Sequence, residues 1–348
     1  MPESSAFIPA VPPSLVQDVF SEQELAQLFR VLRTSGPWPL IAGIYFRSVD
    51  ELLAVSGRAD VAADKAQLED FLTPAFRGIL GNNGLCYYDD LHEIFYSRKL
   101  LDSVKQMYGA RYGAPYLFQF NLQGPSHGLD GGHFDGRSWR GMDPTNTPAW
   151  LMSVMAKSGL FDHWGVKAGQ VITYFYDSSI DGGFTYWPDG PEGEPQRFVP
   201  PFWNSGIVTD NQRMFHRGEA CGPRDRRDLP SGFSLQSRIR AVGENDWEVV
   251  DDDKVMARYA AGEVRLLIHY SAHVFDDMTD LKRYFDHTDD LTPDQALNML
   301  MDDLRLRGVS FDIPSDPLND PVFIDTLSRT YAVQPARFPP EAPLDSAA

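Results

Sequence analysis

The chain has 348 residues, of which 43% are hydrophobic and 12% aromatic, and its formal net charge is −18. A chain of this composition is typical of a globular protein and is long enough for one all-β domain with helical additions. The negative charge argues against nucleic acid as a partner, because a surface that repels phosphate gains nothing from counterion release. We therefore expect a small molecule as the substrate or ligand.

Membrane insertion and extracellular disulfides are also not expected. No apolar run approaches the roughly 20 residues that a transmembrane helix needs, and the N-terminus lacks the basic and apolar regions of a signal peptide. The two cysteines, Cys86 and Cys221, form neither a disulfide framework nor a zinc-type spacing. These features predict a cytoplasmic protein and do not indicate an oligomeric state.

Helical signals come first along the chain. Ser21 and Glu24 form a capping box, in which each side chain satisfies a backbone donor of the other residue. Apolar residues follow at helical spacing as far as Leu32, and Pro37 ends the run. Two further helices are predicted, over residues 62–76 and 97–108.

In the middle of the chain the pattern changes to short strands separated by turns rich in Gly, Pro and Asp. The predicted strands cover residues 116–122, 170–176, 206–210, 233–242, 247–250 and 264–270. This spacing is typical of an all-β sandwich or barrel. After the strands, Thr292 and Gln295 form a second capping box, which begins a helix that ends near Gly308.

One local motif suits a hard, redox-active metal ion: the segment HFDG, which contains His133 and Asp135. In a strand or at its frayed end, positions i and i+2 point to the same side, so that the imidazole and the carboxylate can bind one ion. Such a pair also occurs often by chance. The alternative is an exposed loop whose His and Asp never meet a metal.

A second segment, GIVTDNQRMFHRG, covers residues 206–218 and contains His216. Its pattern indicates a strand, a tight turn at Asp210 and Asn211, and a His at the start of the next strand. The 81 residues from Asp135 to His216 leave room for the intervening strands of a barrel. Two His and one carboxylate on one face of an ion leave three positions open, which is diagnostic of iron(II) oxygenases.

Together the two segments resemble the iron(II)/2-oxoglutarate-dependent dioxygenase superfamily, in particular phytanoyl-CoA-hydroxylase-like or similar small-molecule oxygenases. The resemblance implies an α+β fold, in which helices from both ends pack around a double-stranded β-helix core of the jelly-roll or cupin-like kind. It implies His133, Asp135 and His216 as the iron ligands. The implied organisation is a single oxygenase domain over residues 1–348, with a mainly helical N-terminal part over 1–114, the jelly-roll core over 115–275 and a helical C-terminal extension over 276–348.

The resemblance also implies the cofactors and the chemistry. Fe(II), 2-oxoglutarate and dioxygen are expected, with the 1-carboxylate and 2-keto oxygen of 2-oxoglutarate bound to iron. The expected reaction is the hydroxylation, desaturation or cyclisation of a small molecule of specialised metabolism, coupled to decarboxylation of 2-oxoglutarate to succinate and CO2. Because Asp135 occupies the carboxylate position, a halogenase is not expected.

The superfamily uses an Arg on a late strand to pair with the far carboxylate of 2-oxoglutarate, since a guanidinium matches a planar carboxylate. Arg265 is the first choice, because it lies in an apolar strand and shares a face with His269. Arg240 is the second choice, because its spacing from His216 is nearer to that of the superfamily. Choosing Arg265 makes residues 233–253 an inserted hairpin.

Other interpretations stay open. One is a jelly-roll oxygenase or oxidase that uses the same triad without a keto acid, and another is a non-catalytic jelly-roll protein that binds a carbohydrate or small ligand. A zinc hydrolase is disfavoured, because no H-E-x-x-H or comparable spacing occurs. Arg137, which directly follows the first segment, and Arg217, which directly follows His216, could bind an anionic substrate or form surface ion pairs.

Overall fold

The computed structural model describes residues 7–55, 72–143, 145–178 and 181–345. Along this part of the chain, short strands and helices are interspersed first, a long run of strands follows, and helices come last. The strands are β1 (Ser14–Val16), β2 (Trp38–Pro39), β3 (Ala75–Asn82), β4 (Leu85–Cys86), β5 (Tyr112–Gln123), β6 (Ala168–Tyr176), β7 (Phe184–Trp187), β8 (Gln196–Phe198), β9 (Phe202–Thr209), β10 (Phe215–Gly218), β11 (Arg238–Val242), β12 (Asp246–Asp251), β13 (Lys254–Tyr259) and β14 (Arg265–Phe275). The helices are α1 (Glu22–Thr34), α2 (Ile41–Tyr45), α3 (Val49–Val55), α4 (His92–Phe95), α5 (Arg98–Tyr108), α6 (Ala149–Ser158), α7 (Met278–Phe285), α8 (Pro293–Leu306) and α9 (Pro321–Thr330).

The strands form three antiparallel sheets. The largest has seven strands in the order β1-β9-β6-β14-β5-β3-β4, the second has the order β10-β7-β8, and the third has the order β13-β12-β11-β2. Strand β14 lies at the centre of the largest sheet and pairs with β5 along its whole length. Because β1 and β3 pair with β9 and β5, the N-terminal part of the chain completes the same sheet as the later strands.

The largest sheet is covered on both faces. This explains why the sequence of its strand β6 is mostly apolar. All nine of its residues are buried. Val171 and Phe175 belong to the main apolar core, which includes residues of α1 and α5. Ile172 and Tyr174 point the other way and pack in a second cluster that includes Phe184 of the three-stranded sheet. Alternate residues of one strand thus bury two different faces, as the period of two requires.

Local sequence signals place three helices correctly. The capping box at Ser21 is formed, with the Ser21 amide donating to Glu24 Oε2 at 2.7 Å and the Glu24 amide donating to Ser21 Oγ at 3.3 Å. Helix α8 begins with the same arrangement at Thr292. Helix α5 is capped at its C-terminus by Gly109, whose φ of +62° suits glycine. The predicted starts of α1 and α8 and the helix predicted over residues 97–108 are confirmed.

Two predicted elements are wrong in part. Residues 62–71 of the predicted second helix lie outside the described residues, and its end belongs instead to strand β3, whose burial alternates with a period of two. The strand predicted over residues 233–242 is only β11. The residues before it form a turn, in which the Ser234 amide donates to Ser237 Oγ at 2.9 Å. A side chain here accepts the backbone hydrogen bond that a neighbouring strand would otherwise accept.

The insertion after β10 is larger than a hairpin, because β11, β12 and β13 combine with β2 into the third sheet. Helices α6, α8 and α9 contribute to a separate apolar cluster, whose members include Trp150, Leu300 and Leu327. No helix in the described ranges is long and apolar enough to cross a membrane. The described molecule therefore combines helices with antiparallel sheets.

Candidate metal centre

His133 and His216 face each other across a single rung of antiparallel pairing. The His133 amide donates to the His216 carbonyl at 2.9 Å, and the His216 amide donates to the His133 carbonyl at 3.1 Å. In such a reciprocal pair the two side chains leave the backbone on the same side, and the ring centroids are 4.6 Å apart. The Asp135 amide donates to the Asn211 carbonyl at 2.9 Å and fixes the third residue beside them.

The side chains of His133, Asp135 and His216 converge on one point. His133 Nε2 lies 3.8 Å and His216 Nε2 lies 3.5 Å from Asp135 Oδ1, and all three ligand atoms lie within 4.8 Å of one another. First-row metal ions bind such atoms at roughly 2.1 Å, so a small inward movement of the side chains would let them share one ion. His216 is buried, Asp135 is partly buried and His133 is exposed.

Both imidazoles are oriented through their far nitrogens. His133 Nδ1 lies 2.9 Å from Asp130 Oδ2, and His216 Nδ1 lies 2.9 Å from the Met214 carbonyl oxygen. Each acceptor favours a proton on Nδ1 and leaves Nε2 as the lone-pair donor. This is the usual arrangement of a metal-binding histidine, so the donor set fits a metal ion.

The third donor, Asp135, is held in the same way. Gln170 Nε2 donates to Asp135 Oδ2 at 2.8 Å, and Gln170 Oε1 accepts from the Asn211 amide at 3.0 Å. Oδ1 is therefore the oxygen directed at the histidines. Burial favours the neutral carboxyl, but the neighbouring His216, His269 and His133 together outweigh it and keep the pKa of Asp135 below its usual range. An ionised carboxylate is the form that binds metal.

The three residues line a cavity of about 320 Å³ between the largest sheet and the three-stranded sheet. Its walls come from β3, β5, β6 and β14 on one side and from β7 and β10 on the other. The apolar lining next to the metal-binding residues consists of Ile172, Tyr174, Phe184 and Leu267. His269 lines the cavity too, and its Nε2 has no hydrogen-bond partner among the described residues. A small ligand could therefore lie beside a bound ion.

Arg265, at the start of β14, lines the same cavity although its side chain is buried. Nη1 donates to the carbonyls of Gly182 and Gly183 at 3.0 and 2.9 Å, and Nη2 donates to Gln123. Within the described part of the chain no carboxylate pairs with this guanidinium, and its Nε has no hydrogen-bond partner. A buried cation without a counter-charge is costly, so this position suits an anionic ligand.

The other candidate arginines are occupied elsewhere. Arg240 lies on β11 in the four-stranded sheet, outside the cavity, and donates to Glu248 Oε1 at 2.8 and 2.6 Å. Arg137 pairs with Asp162. Arg217 is fully buried and donates to backbone carbonyls, including those of Asp130 and Pro343. The structure thus places Arg265, and none of these three, in the cavity.

Three residues of the site were not predicted from the sequence. Asp130 precedes His133 by three residues. Gln170 is a polar residue in an apolar strand, and the same pattern that indicates Arg265 could have identified it. Arg77 also lines the cavity, from β3. It adjoins a segment that was predicted to be helical, and its place depends on pairing with the distant strand β5.

Neither a protein-family model nor a curated protein matches the sequence. Solved structures do match. They include an oxidoreductase of the 2OG-Fe(II) oxygenase family from Burkholderia pseudomallei (10% identity, 76% of this chain and 85% of that chain, TM-score 0.39). A prolyl hydroxylase from Trichoplax adhaerens, in complex with a hypoxia inducible factor peptide fragment, has 10% identity over 77% and 84% of the two chains and a TM-score of 0.34. HygX from Streptomyces hygroscopicus, with nickel and 2-oxoglutarate bound, has 9% identity over 76% and 83% and a TM-score of 0.34. The first of these proteins belongs by its name to the superfamily that the two sequence segments resemble.

Proposed function

We propose that the chain is an Fe(II)- and 2-oxoglutarate-dependent oxygenase of a small-molecule substrate. The observation that carries this proposal is that one cavity contains both the triad of His133, Asp135 and His216 and the unpaired cation of Arg265. A facial triad leaves room for a chelating keto acid. The guanidinium supplies the second, distant anchor that a dicarboxylate needs.

The order of the strands supports a double-stranded β-helix as the core. From β5 onwards the chain alternates between the two sheets that enclose the cavity: β6, β9 and β14 join the larger sheet, while β7, β8 and β10 form the smaller one. The His133 segment pairs with β10. We also propose that the chain is one oxygenase domain, because β1 and β3 belong to the same sheet as the core strands.

The residues of the cavity have distinct roles in this proposal. Iron with 2-oxoglutarate and dioxygen would supply the oxidation of a substrate C–H bond, with succinate and CO2 as the other products. His133, Asp135 and His216 hold the ion, and Asp130 and Gln170 keep those donors oriented. Arg265 fixes the far carboxylate of the keto acid. The apolar wall excludes water from the reacting groups.

The size of the cavity favours a small substrate, since about 320 Å³ lies at the lower end of small-molecule sites. An oxygenase that works without a keto acid would have no use for a buried, unpaired Arg265. A non-catalytic binding protein would not need three metal donors, two imidazoles and a carboxylate, that are each held in orientation by a hydrogen bond. The combination therefore supports the keto-acid-dependent enzyme over both alternatives.

The first experiment is an anaerobic titration with Fe(II) and then 2-oxoglutarate. Keto acid chelated to iron should give a weak visible charge-transfer band, and His133→Ala or His216→Ala should abolish it. Arg265→Gln should weaken the apparent affinity for 2-oxoglutarate by roughly 10-fold or more, as expected for a lost charge-assisted pair. The band reports binding directly and needs no substrate.

Arg240→Gln is the matched control, because it removes the same charge from a residue that pairs with Glu248 at the surface. This variant should titrate like the wild type. The opposite pattern, with loss in Arg240→Gln and none in Arg265→Gln, would assign the anchor to Arg240. A wild type that binds no iron and shows no band would overturn the oxygenase and favour the binding protein.

A further inference from the structure

The cavity contains a second cationic side chain. Arg77 lines it from β3, the neighbour of β5 in the largest sheet. Its Nε donates to Asn121 Oδ1 at 2.8 Å, its Nη1 donates to the Tyr45 hydroxyl, and its guanidinium carbon lies 5.5 Å from the Tyr45 ring centroid. These contacts orient the group but are all neutral. Across the described ranges no carboxylate forms an ion pair with Arg77, so its charge is available to a ligand.

Arg77 and Arg265 occupy different places in the sheet. Arg77 pairs with Asn121, and Asn121 pairs with Leu267 of β14. Arg77 therefore lies two strands, or roughly 10 Å, away from β14. Along the strand direction Arg77 is level with Leu267, two residues nearer to His269 than Arg265 is. A single five-carbon keto acid held by Arg265 leaves Arg77 for a second molecule.

The charge of Arg77 acts inside the cavity. Burial is the main cause that lowers the pKa of His269 to about 4, and the positive charge of Arg77 adds to this effect. The apolar lining residues that precede β3 are Ile41, Ala42, Phe46, Leu52 and Leu72, and Phe46 directly follows Tyr45, which Arg77 contacts. A ligand at this end would meet one cation and an apolar surface.

We propose that Arg77, positioned by Asn121 and Tyr45, binds a carboxylate of the substrate, so that the enzyme oxidises a small carboxylic acid with an apolar body. The inference rests on the proposed function and adds the substrate class to it. A carboxylate fits better than a phosphate, because one guanidinium matches one planar carboxylate. A dianionic phosphate would need further cations at this end, and among the described lining residues Arg265 is the other arginine, already assigned to the keto acid.

The test compares acids with their neutral amides. Phenylacetate and phenylacetamide, hexanoate and hexanamide, and N-acetyl-L-leucine and its amide are titrated into the anaerobic protein with Fe(II) and 2-oxoglutarate, with Tm as the readout. In the wild type, acids should raise Tm more than their amides. Arg77→Gln should weaken acid binding by roughly 10-fold or more and abolish the preference. Arg77→Lys keeps the charge and should retain part of it.

Two controls separate the possible failures. Arg30→Gln removes an exposed cation that pairs with Asp90 and should keep the preference for acids. Arg265→Gln should also keep the preference for acids, while it weakens the binding of 2-oxoglutarate. The proposal is overturned if acids and amides bind alike in the wild type, if the preference survives in Arg77→Gln, or if Arg77→Gln weakens 2-oxoglutarate instead.

The same titration without metal and keto acid distinguishes this inference from the proposed function. An acid preference that depends on Arg77 in the metal-free protein supports the carboxylate site even if no charge-transfer band forms under any condition. In that case the oxygenase is wrong and the acid-binding site remains. A normal band without any acid preference supports the oxygenase and overturns the carboxylate site.

Discussion

At the scale of single residues, Gln170 connects the metal donors to the turn that precedes β10. Its amide donates to Asp135 and accepts from the Asn211 backbone, so one side chain fixes both the carboxylate and the loop. Such partners of a metal ligand commonly change metal affinity by roughly 10- to 100-fold. The oxygen Asp135 Oδ2 would lose this donor if Gln170 were replaced.

We predict that Gln170→Leu weakens Fe(II) binding by about 10-fold or more, because the carboxylate is then free to turn away from the histidines. Equilibrium dialysis with metal analysis would measure the change. Gln196→Leu is the control, since Gln196 is exposed and bonds to Tyr186 outside the metal centre. Equal iron affinities of the two variants would show that Gln170 does not position Asp135.

At the scale of elements, the sequence predicted best what is decided locally. The capping boxes at Ser21 and Thr292 depend on residues three positions apart and are formed as expected. The turn at Asp210 and the pair of His133 and Asp135 are also local. For this reason the candidate ligands could be recognised from two short segments.

What the sequence could not predict depends on pairing between distant strands. Arg77 enters the cavity because β3 pairs with β5, and no local pattern contains that information. Arg240 lies outside the cavity because β11 joins β2 in a separate sheet, and the sequence does not reveal this pairing. The apolar strand around Arg265 pointed to a side chain that is buried in the structure, and a buried charge needs a ligand or a partner.

Helix α2 gives a test at this scale, because its backbone touches the segment before β11. A Cβ atom added at Gly43 would lie 1.8 Å from the Leu235 carbonyl oxygen, so α2 or that segment would have to move. Gly43→Ala should therefore destabilise the protein by about 1–3 kcal/mol. It should also weaken the binding of acids, since α2 carries Tyr45. Urea unfolding and the acid titration would measure the two effects.

Gly262→Ala is the matched control, because a Cβ atom at Gly262 would meet nothing within 4 Å. It should leave the unfolding free energy nearly unchanged. If Gly43→Ala were as stable as this control and bound acids normally, the close approach of α2 to Leu235 would not position the substrate end of the cavity.

At the scale of the whole molecule, the last described residues pack close to the metal centre. Arg217, fully buried on β10, donates to the carbonyls of Ala342 and Pro343 on one side and to that of Asp130 on the other. Asp345 Oδ2 accepts from the Gly128 amide at 2.9 Å. The C-terminal segment thus packs against the loop whose Asp130 orients His133.

Removal of residues 337–348 should therefore weaken metal binding as well as destabilise the protein. Arg217 would lose two acceptors in a buried position, and the loop that carries Asp130 would lose its support. We expect Fe(II) binding to weaken by roughly 10-fold, as for the loss of an outer partner of a ligand, together with a lower Tm. A truncation that removes only residues 346–348 keeps the contacts of Ala342, Pro343 and Asp345 and should bind iron like the full chain. If the longer truncation lowers Tm but leaves iron affinity at the level of the shorter one, the segment supports the fold alone, and His133 is oriented without it.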